Sequence, residues 1–297
     1  RYNSFRKRNI YSYQNQINMK ILIMGLPGSG KTYLTERLQP LLEAAWYNAD
    51  KVREMANDWD FSDSGRTRQS NRMRTFADFE KMNGRFVLCD FVCPTKETRE
   101  NFDADIISLS LGGESDPNAT REGPTTNAVR QAIANGAYVV AAAGNDGGST
   151  DDGRVATPSN VEEAISVAAI DEDGEIWSGS SLGESDDSSG EARQNPHLKP
   201  EISAPGVSVI STAFDGEYYS STGTSDATVF VSGILALILE AEPTLQEPDS
   251  QCMLEVKTAL MNSANPLVDG IDHDSRWGYG AIDGKSWLKE IRSSVSC

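Results

Sequence analysis

The sequence predicts an α/β protein of three layers on mostly parallel sheet. Two patterns carry that reading. An apolar run, Ile21 to Met24, passes through a glycine-rich turn into leucines at helical spacing, and from Ile106 onward apolar strands alternate with helices. A third observation bounds the core: 38% of the 297 residues are apolar, enough to fill one large or two ordinary domains.

The net charge of −17 is unevenly spread. Residues 1–103 hold 17 Lys+Arg against 13 Asp+Glu, a net of +4, whereas residues 104–297 hold 10 against 31, a net of −21. Such a step marks Asp103 to Ile106 as a junction. The organisation read from it is a disordered leader over 1–18, a first segment over 19–103 and a second over 104–297. The acidic second segment repels nucleic acid, so no nucleic-acid partner is expected. No uninterrupted apolar run reaches the roughly 18 residues of a membrane span, and the basic leader lacks the apolar stretch of a secretory signal. No membrane partner is expected, and location stays open with the cytoplasm as default. Cys89, Cys93, Cys252 and Cys297 show no CxxC spacing and support neither a disulfide framework nor a zinc site, while a Cys252–Cys297 bridge stays open.

In the first segment, "MKILIMGLPGSGKTYLTERLQPLL" reads as strand, loop and helix. Gly25, Gly28 and Gly30 allow the backbone to approach a phosphate closely, and with Ser29, Lys31 and Thr32 they complete GxxxxGK[ST]. Consecutive amides and the positive helix end then face a phosphate, Lys31 reaches the outer phosphates, and the Thr32 hydroxyl holds Mg2+; ATP with Mg2+ is the expected cofactor. A second short strand is expected to end in Asp50, with Arg53 one helical step on. A third, Phe86 to Phe91, ends in Asp90 and is followed by Pro94 and a helix. "GLPGSGKT", "NADKVR", "DFSDSGRTRQSNRMR" and "FVCPTKETRE" fall in the order and spacing of the adenylylsulfate kinase family, which Met19 to Asp103 resembles. The resemblance implies that Asp50, Arg53, Phe61, Arg66 and Arg72 line an acceptor nucleotide site. The family's later strands and lid do not follow Asp103, which threatens phosphoryl transfer more than nucleotide binding.

The second segment brings a buried strand into a glycine pair ("DIISLSLGG"), a helix stopped at Gly136 before an apolar strand ("TTNAVRQAIANGAYVVAAAGNDGG"), and a strand with a hairpin ("AISVAAIDEDGEIWSGSSLG"). "SLSLGG", "VVAAAGNDG", "TPSNVEEAISVAAID", "KPEISAPGVSVIST", "GTSDATVFVSG" and "WGYGAID" make Ile106 to Asp283 resemble the subtilisin family of serine peptidases. That resemblance implies a peptide or protein substrate, Ser225 as nucleophile and Asn145 as side-chain donor of the oxyanion hole. It further implies that Ser110, Leu111 and Gly112 pair with the substrate backbone and that Ala141 to Gly144, including Ala143, wall the primary specificity pocket. Val229-Phe230 stands where the family has Pro-His, and Asp226 where an apolar residue is common.

A seryl hydroxyl needs a base to take its proton, itself held by a carboxylate. The family carries both upstream of the serine, where this chain has the kinase-like segment. The two histidines, His197 and His273, stand outside any such motif. His197 reads as a surface loop residue, and His273, among Asp269, Asp272 and Asp274, as part of a surface or Ca2+-binding loop. The chain reads as a splice of two partial families whose strands are able to join one continuous sheet. Its expected function is a subtilisin-like endopeptidase lacking its Asp and His and inactive alone. A nucleotide-binding kinase-like protein is the second reading, and a recombined frame without function as a unit is the third.

Overall fold

The computed structural model describes residues 20–24, 31–91, 104–112, 123–147, 154–183, 192–212, 218–246 and 248–297. The leader expected over 1–18 lies outside these. The chain forms two compact units, Arg1–Ala104 and Asp105–Cys297, and both have the α/β architecture expected.

In the first unit, β1 (Lys20–Met24), α1 (Lys31–Leu42), β2 (Ala45–Asn48), α2 (Ala49–Ala56), α3 (Asp63–Met82) and β3 (Val87–Phe91) follow in order. The strands form a parallel sheet ordered β1-β3-β2. Central β3 is buried along its whole length and, with Ala45, Val52, Met73 and Ala77, makes the core. A strand buried on both sides cannot alternate, which is why "VLCDF" reads as a continuous run. The second strand ends at Asn48 rather than at Asp50. The Asn48 side chain accepts from the Asp50 and Lys51 backbone N–H groups at 3.1 and 3.2 Å, capping α2 two residues earlier than strand patterning suggests.

In the second unit, β4 (Ile106–Leu109), β5 (Tyr138–Ala142), β6 (Ile165–Ile170) and β7 (Ile202–Pro205) form a parallel sheet in sequence order. The described strands therefore form separate sheets in the two units, and the continuous sheet that the sequence allowed does not form among them. Helix α4 (Pro124–Ala134) connects β4 to β5, with Pro124 at its first turn and Gly136, at φ +93°, just past its end, as the sequence indicates. The hairpin β8 (Val209–Thr212) and β9 (Tyr218–Ser221) leads into α5 (Thr224–Ala241); α6 (Ser250–Asn262) and α7 (Gly284–Ser294) close the unit.

Helix α5 has 18 residues and a mean hydropathy of 1.5, so by length and composition it is able to cross a membrane, although no uninterrupted apolar run does so. Its apolarity is used inside the unit: Ala227, Val231, Leu235, Ile238 and Leu239 are buried, and the helix lies against β4 to β7. Val229 and Phe230, the departure from the family's Pro-His, are 57% and 43% exposed.

Two features of this unit have no local signature. Lys199, Glu201 and Lys257 are fully or almost fully buried, with both ammonium groups on Glu201 Oε1 at 2.8 and 2.5 Å. Glu201 Oε2 accepts from the Ser166 N–H at 2.7 Å, and the lysines also donate to the carbonyls of Ala164 and Glu162, so every group is hydrogen-bonded. The second feature is a disulfide: Cys252 in α6 and Cys297 at the C-terminus are bonded, settling the open pairing, while Cys89 is a buried free thiol.

Candidate functional site

The centre of the second unit's site is built where β5 ends and α5 begins. Past β5 the backbone turns at Gly144, whose φ of +119° is one that a side chain rarely adopts. A Cβ there would stand 2.6 Å from Ser181 Oγ, so the position demands glycine twice over. The turn delivers Asn145 to the start of α5. Its Oδ1 accepts from the Thr224 N–H at 3.0 Å and from Thr224 Oγ1 at 2.9 Å, while Thr224 Oγ1 accepts from the Gly144 N–H at 3.1 Å. Two donors on Oδ1 fix which end of the amide is which, leaving Nδ2 turned away from Thr224 as a free donor.

Ser225 follows as the second residue of α5, where its backbone N–H has no intrahelical acceptor and the helix dipole is positive. An oxyanion placed here would meet that N–H and the Asn145 amide. Thr224 is buried and acts as an orienting residue that the motif reading passes over as a helix cap.

Ser225 is tied to the residues that follow β4. Ser225 Oγ donates to the Ser110 carbonyl at 3.4 Å, and Ser110 Oγ donates back to the Ser225 carbonyl at 2.9 Å. Ser110, Leu111 and Gly112 follow β4 and are exposed. Ala143 is fully buried, and a Cβ on Gly112 would stand 2.6 Å from that of Ala156.

Neither histidine joins this group. His197 Nδ1 lies 3.2 Å from the Glu162 carbonyl, and His273 Nε2 lies 3.1 Å from the Pro200 carbonyl with its ring edge-on to Tyr279. Burial holds the His273 imidazole below its ordinary pKa. Among the described residues no three His, Cys, Asp or Glu side chains converge as a metal site, the His273 loop included.

In the first unit, Gly25, Gly28, Ser29 and Gly30 lie outside the described residues, and of Lys31 only its place as the first residue of α1 is described. What the structure adds is the surroundings of Thr32. Thr32 Oγ1 donates to Asp90 Oδ2 at 2.8 Å, where Asn48 Nδ2 also donates at 2.9 Å, and Trp46 Nε1 donates to Asp90 Oδ1 at 2.9 Å. Asp90 is 1% exposed at the carboxyl end of the central strand. A hydroxyl paired with a carboxylate at that edge fits a hydrated Mg2+, which takes few protein ligands. Sequence reading placed Asp90 on a strand end but gave it no role; the structure shows it accepting from Thr32, Asn48 and Trp46.

The expected acceptor residues are more committed. Asp50 lies exposed on α2. Arg53, 5% exposed, donates to the Asp58 and Asp60 carbonyls and covers the Phe61 ring at 4.6 Å. Arg66 donates to the Phe61 carbonyl, and Arg72 joins Arg68 on Asp58, holding that carboxyl below its usual range. The arginines are thus spent on the carbonyls and carboxylates of a folded loop.

A parallel α/β unit with a serine at a helix N-terminus and an amide donor set beside it is the arrangement the subtilisin resemblance implies. The sequence profile of the Subtilase family matches residues 91–280, and the chain belongs to that family. The Adenylylsulphate kinase profile matches residues 18–108. Subtilisin DY of Bacillus licheniformis is 36% identical over 179 residues, 60% of this chain and 55% of that one. Serine protease AprX of Bacillus subtilis (strain 168) is 33% identical over 197 residues, 61% of this chain and 42% of that one. The chain thus spans about half the length of these curated relatives or less. Among solved structures, the prenylagaramide maturation protease PagA is similar at a TM-score of 0.52 and 26% identity over 70% of this chain and 74% of that one. The patellamide maturation protease PatA shares the fold at 0.60 and 21%, over 93% and 98%.

Proposed function

We propose that residues 105–297 are the acyl-binding half of a subtilase active site. They hold an extended peptide along Ser110 to Gly112, set its carbonyl between Ser225 and the Asn145 amide, and cleave it at protease rates only when a general base comes from outside this chain. One observation carries the reading: the hydrogen-bond acceptor of Ser225 Oγ is the Ser110 carbonyl, and both imidazoles are bonded elsewhere. A substrate amide pairing with this strand competes for that carbonyl and frees the hydroxyl, but nothing takes its proton. Loss of the imidazole costs on the order of 10⁶ in turnover, a magnitude that comes from subtilisin itself. The residue left over, roughly 10³ above water, belongs to the oxyanion donors and binding.

The test is hydrolysis by the chain alone of an activated peptide ester and of the matching amide. Slow ester turnover lost in Ser225→Ala, without amide cleavage, supports the proposal. Amide turnover above about 1 s⁻¹, an ordinary enzyme rate, overturns it.

A second reading, favoured by the Thr32–Asp90 pair, is that the first unit binds a nucleoside triphosphate with Mg2+. The chain's own groups would act as follows: the loop amides and Lys31 hold phosphates, and Thr32 and Asp90 hold the hydrated ion. Mg2+ supplies charge neutralisation between phosphate oxygens when bound. Calorimetric titration with Mg2+ and ATP tests it: loss of binding in Lys31→Ala supports the cradle, and unchanged affinity removes it.

A further inference from the structure

Asp226 is the third residue of α5, next in the chain after Ser225, at a position where an apolar residue is common in the resembled family. A favourable charge at a helix N-terminus would account for an acid here, but not for its placement. Ser221 Oγ, on β9, donates to Asp226 Oδ2 at 2.8 Å and fixes the carboxylate across the turn. The point where a Cβ on Gly223 would stand lies 3.4 Å from Asn145 Nδ2 and 3.7 Å from Asp226 Oδ2, so the oxyanion donor and the carboxylate share one small neighbourhood. Among the described residues Asp226 has no cationic partner, and it is half-buried.

An unneutralised carboxylate there opposes negative charge on a substrate and favours positive charge. The same sign holds at long range, since residues 104–297 carry a net −21 and draw cationic molecules in. We infer that Asp226, held by Ser221, is a specificity-determining residue that selects peptides with Lys or Arg next to the carbonyl bound at Ser225. This rests on the peptide-binding reading above.

The experiment is fluorescence anisotropy of the full chain with labelled peptides that differ only in Lys or norleucine at one position, scanned along the peptide. At one position the Lys peptide binds about fivefold more tightly, the scale of a partly exposed ion pair. Asp226→Asn removes the preference while the norleucine peptide still binds, and Ser221→Ala weakens it with the charge intact. Glu172→Gln, the same charge change at an exposed turn, leaves it. Equal affinities, or a preference that survives Asp226→Asn, overturn the inference and leave the peptide-binding reading standing. Failure of either peptide to bind overturns that reading and the inference with it.

Discussion

Glu201→Gln perturbs one carboxylate that serves three donors in the core of the second unit. Oε1 takes both Lys199 and Lys257, Oε2 takes the Ser166 N–H, and none of the three side chains has meaningful exposure. The amide keeps the shape but turns one acceptor into a donor and removes the charge, so two buried ammonium groups lose their counter-ion, and the new NH2 faces either them or the Ser166 N–H. Breaking a buried pair in this way costs about 3 to 5 kcal/mol. For a unit of this size that corresponds to a fall of about 10 °C in Tm. The cost depends on pH. Burial pushes the Lys199 ammonium from the usual 10.5 down to about 7, with Glu201 opposing that shift. Between about 7 and 10.5 the unfolded chain keeps a proton that folded Lys199 releases, so stability of the unit rises with pH across that window; below it, the penalty of burying the charge is present in full. Glu201→Gln is therefore most damaging at pH 6 and less so at pH 9. Differential scanning calorimetry at both values measures it. A loss under about 2 °C, or an equal loss at the two pH values, refutes the reasoning.

Three further outcomes follow from the geometry. Reduction of Cys252–Cys297 reopens a loop of 45 residues' separation and lowers stability by up to about 4 kcal/mol, read as a Tm shift with and without reductant. Asn145→Ala removes one oxyanion donor and lowers the residual hydrolysis of an activated peptide ester about 10²-fold, with Thr224→Val acting in the same direction through lost orientation of the amide. Asp90→Asn leaves the hydrogen bond from Trp46 an acceptor but weakens the hold on a divalent ion, so Mg2+-dependent ATP affinity falls about tenfold or more while Mg2+-free binding changes little.

The two sites differ in how much of them a sequence can show. Ser225 and Asn145 were legible because each sits in a short run whose residue types the backbone demands: Gly144 has a positive φ, and Ser225 needs a helix start. What holds them was not. Thr224 reads as a cap, and nothing in "GTSD" says that its hydroxyl meets an amide 79 residues away. The Thr32–Asp90 pair spans 58 residues in the same way. The burial of Lys199, Glu201 and Lys257 is not legible at all, since composition carries no mark of it. The end of β2 was misplaced because the Asn48 side chain overrides the local pattern. The helix over Thr224–Ala241 is legible in the sequence, but its membrane-length apolarity is not, because Asp226 and the serines interrupt its apolar runs.

The central claim is that Ser225 is placed for attack without a base to activate it. It is tested most directly by the pH dependence of its labelling with a fluorophosphonate, followed by intact mass. The account predicts slow labelling, absent in Ser225→Ala, with no inflection around pH 6.5 and with acceleration by added imidazole. An inflection near that pH that disappears in His197→Ala or His273→Ala would contradict it.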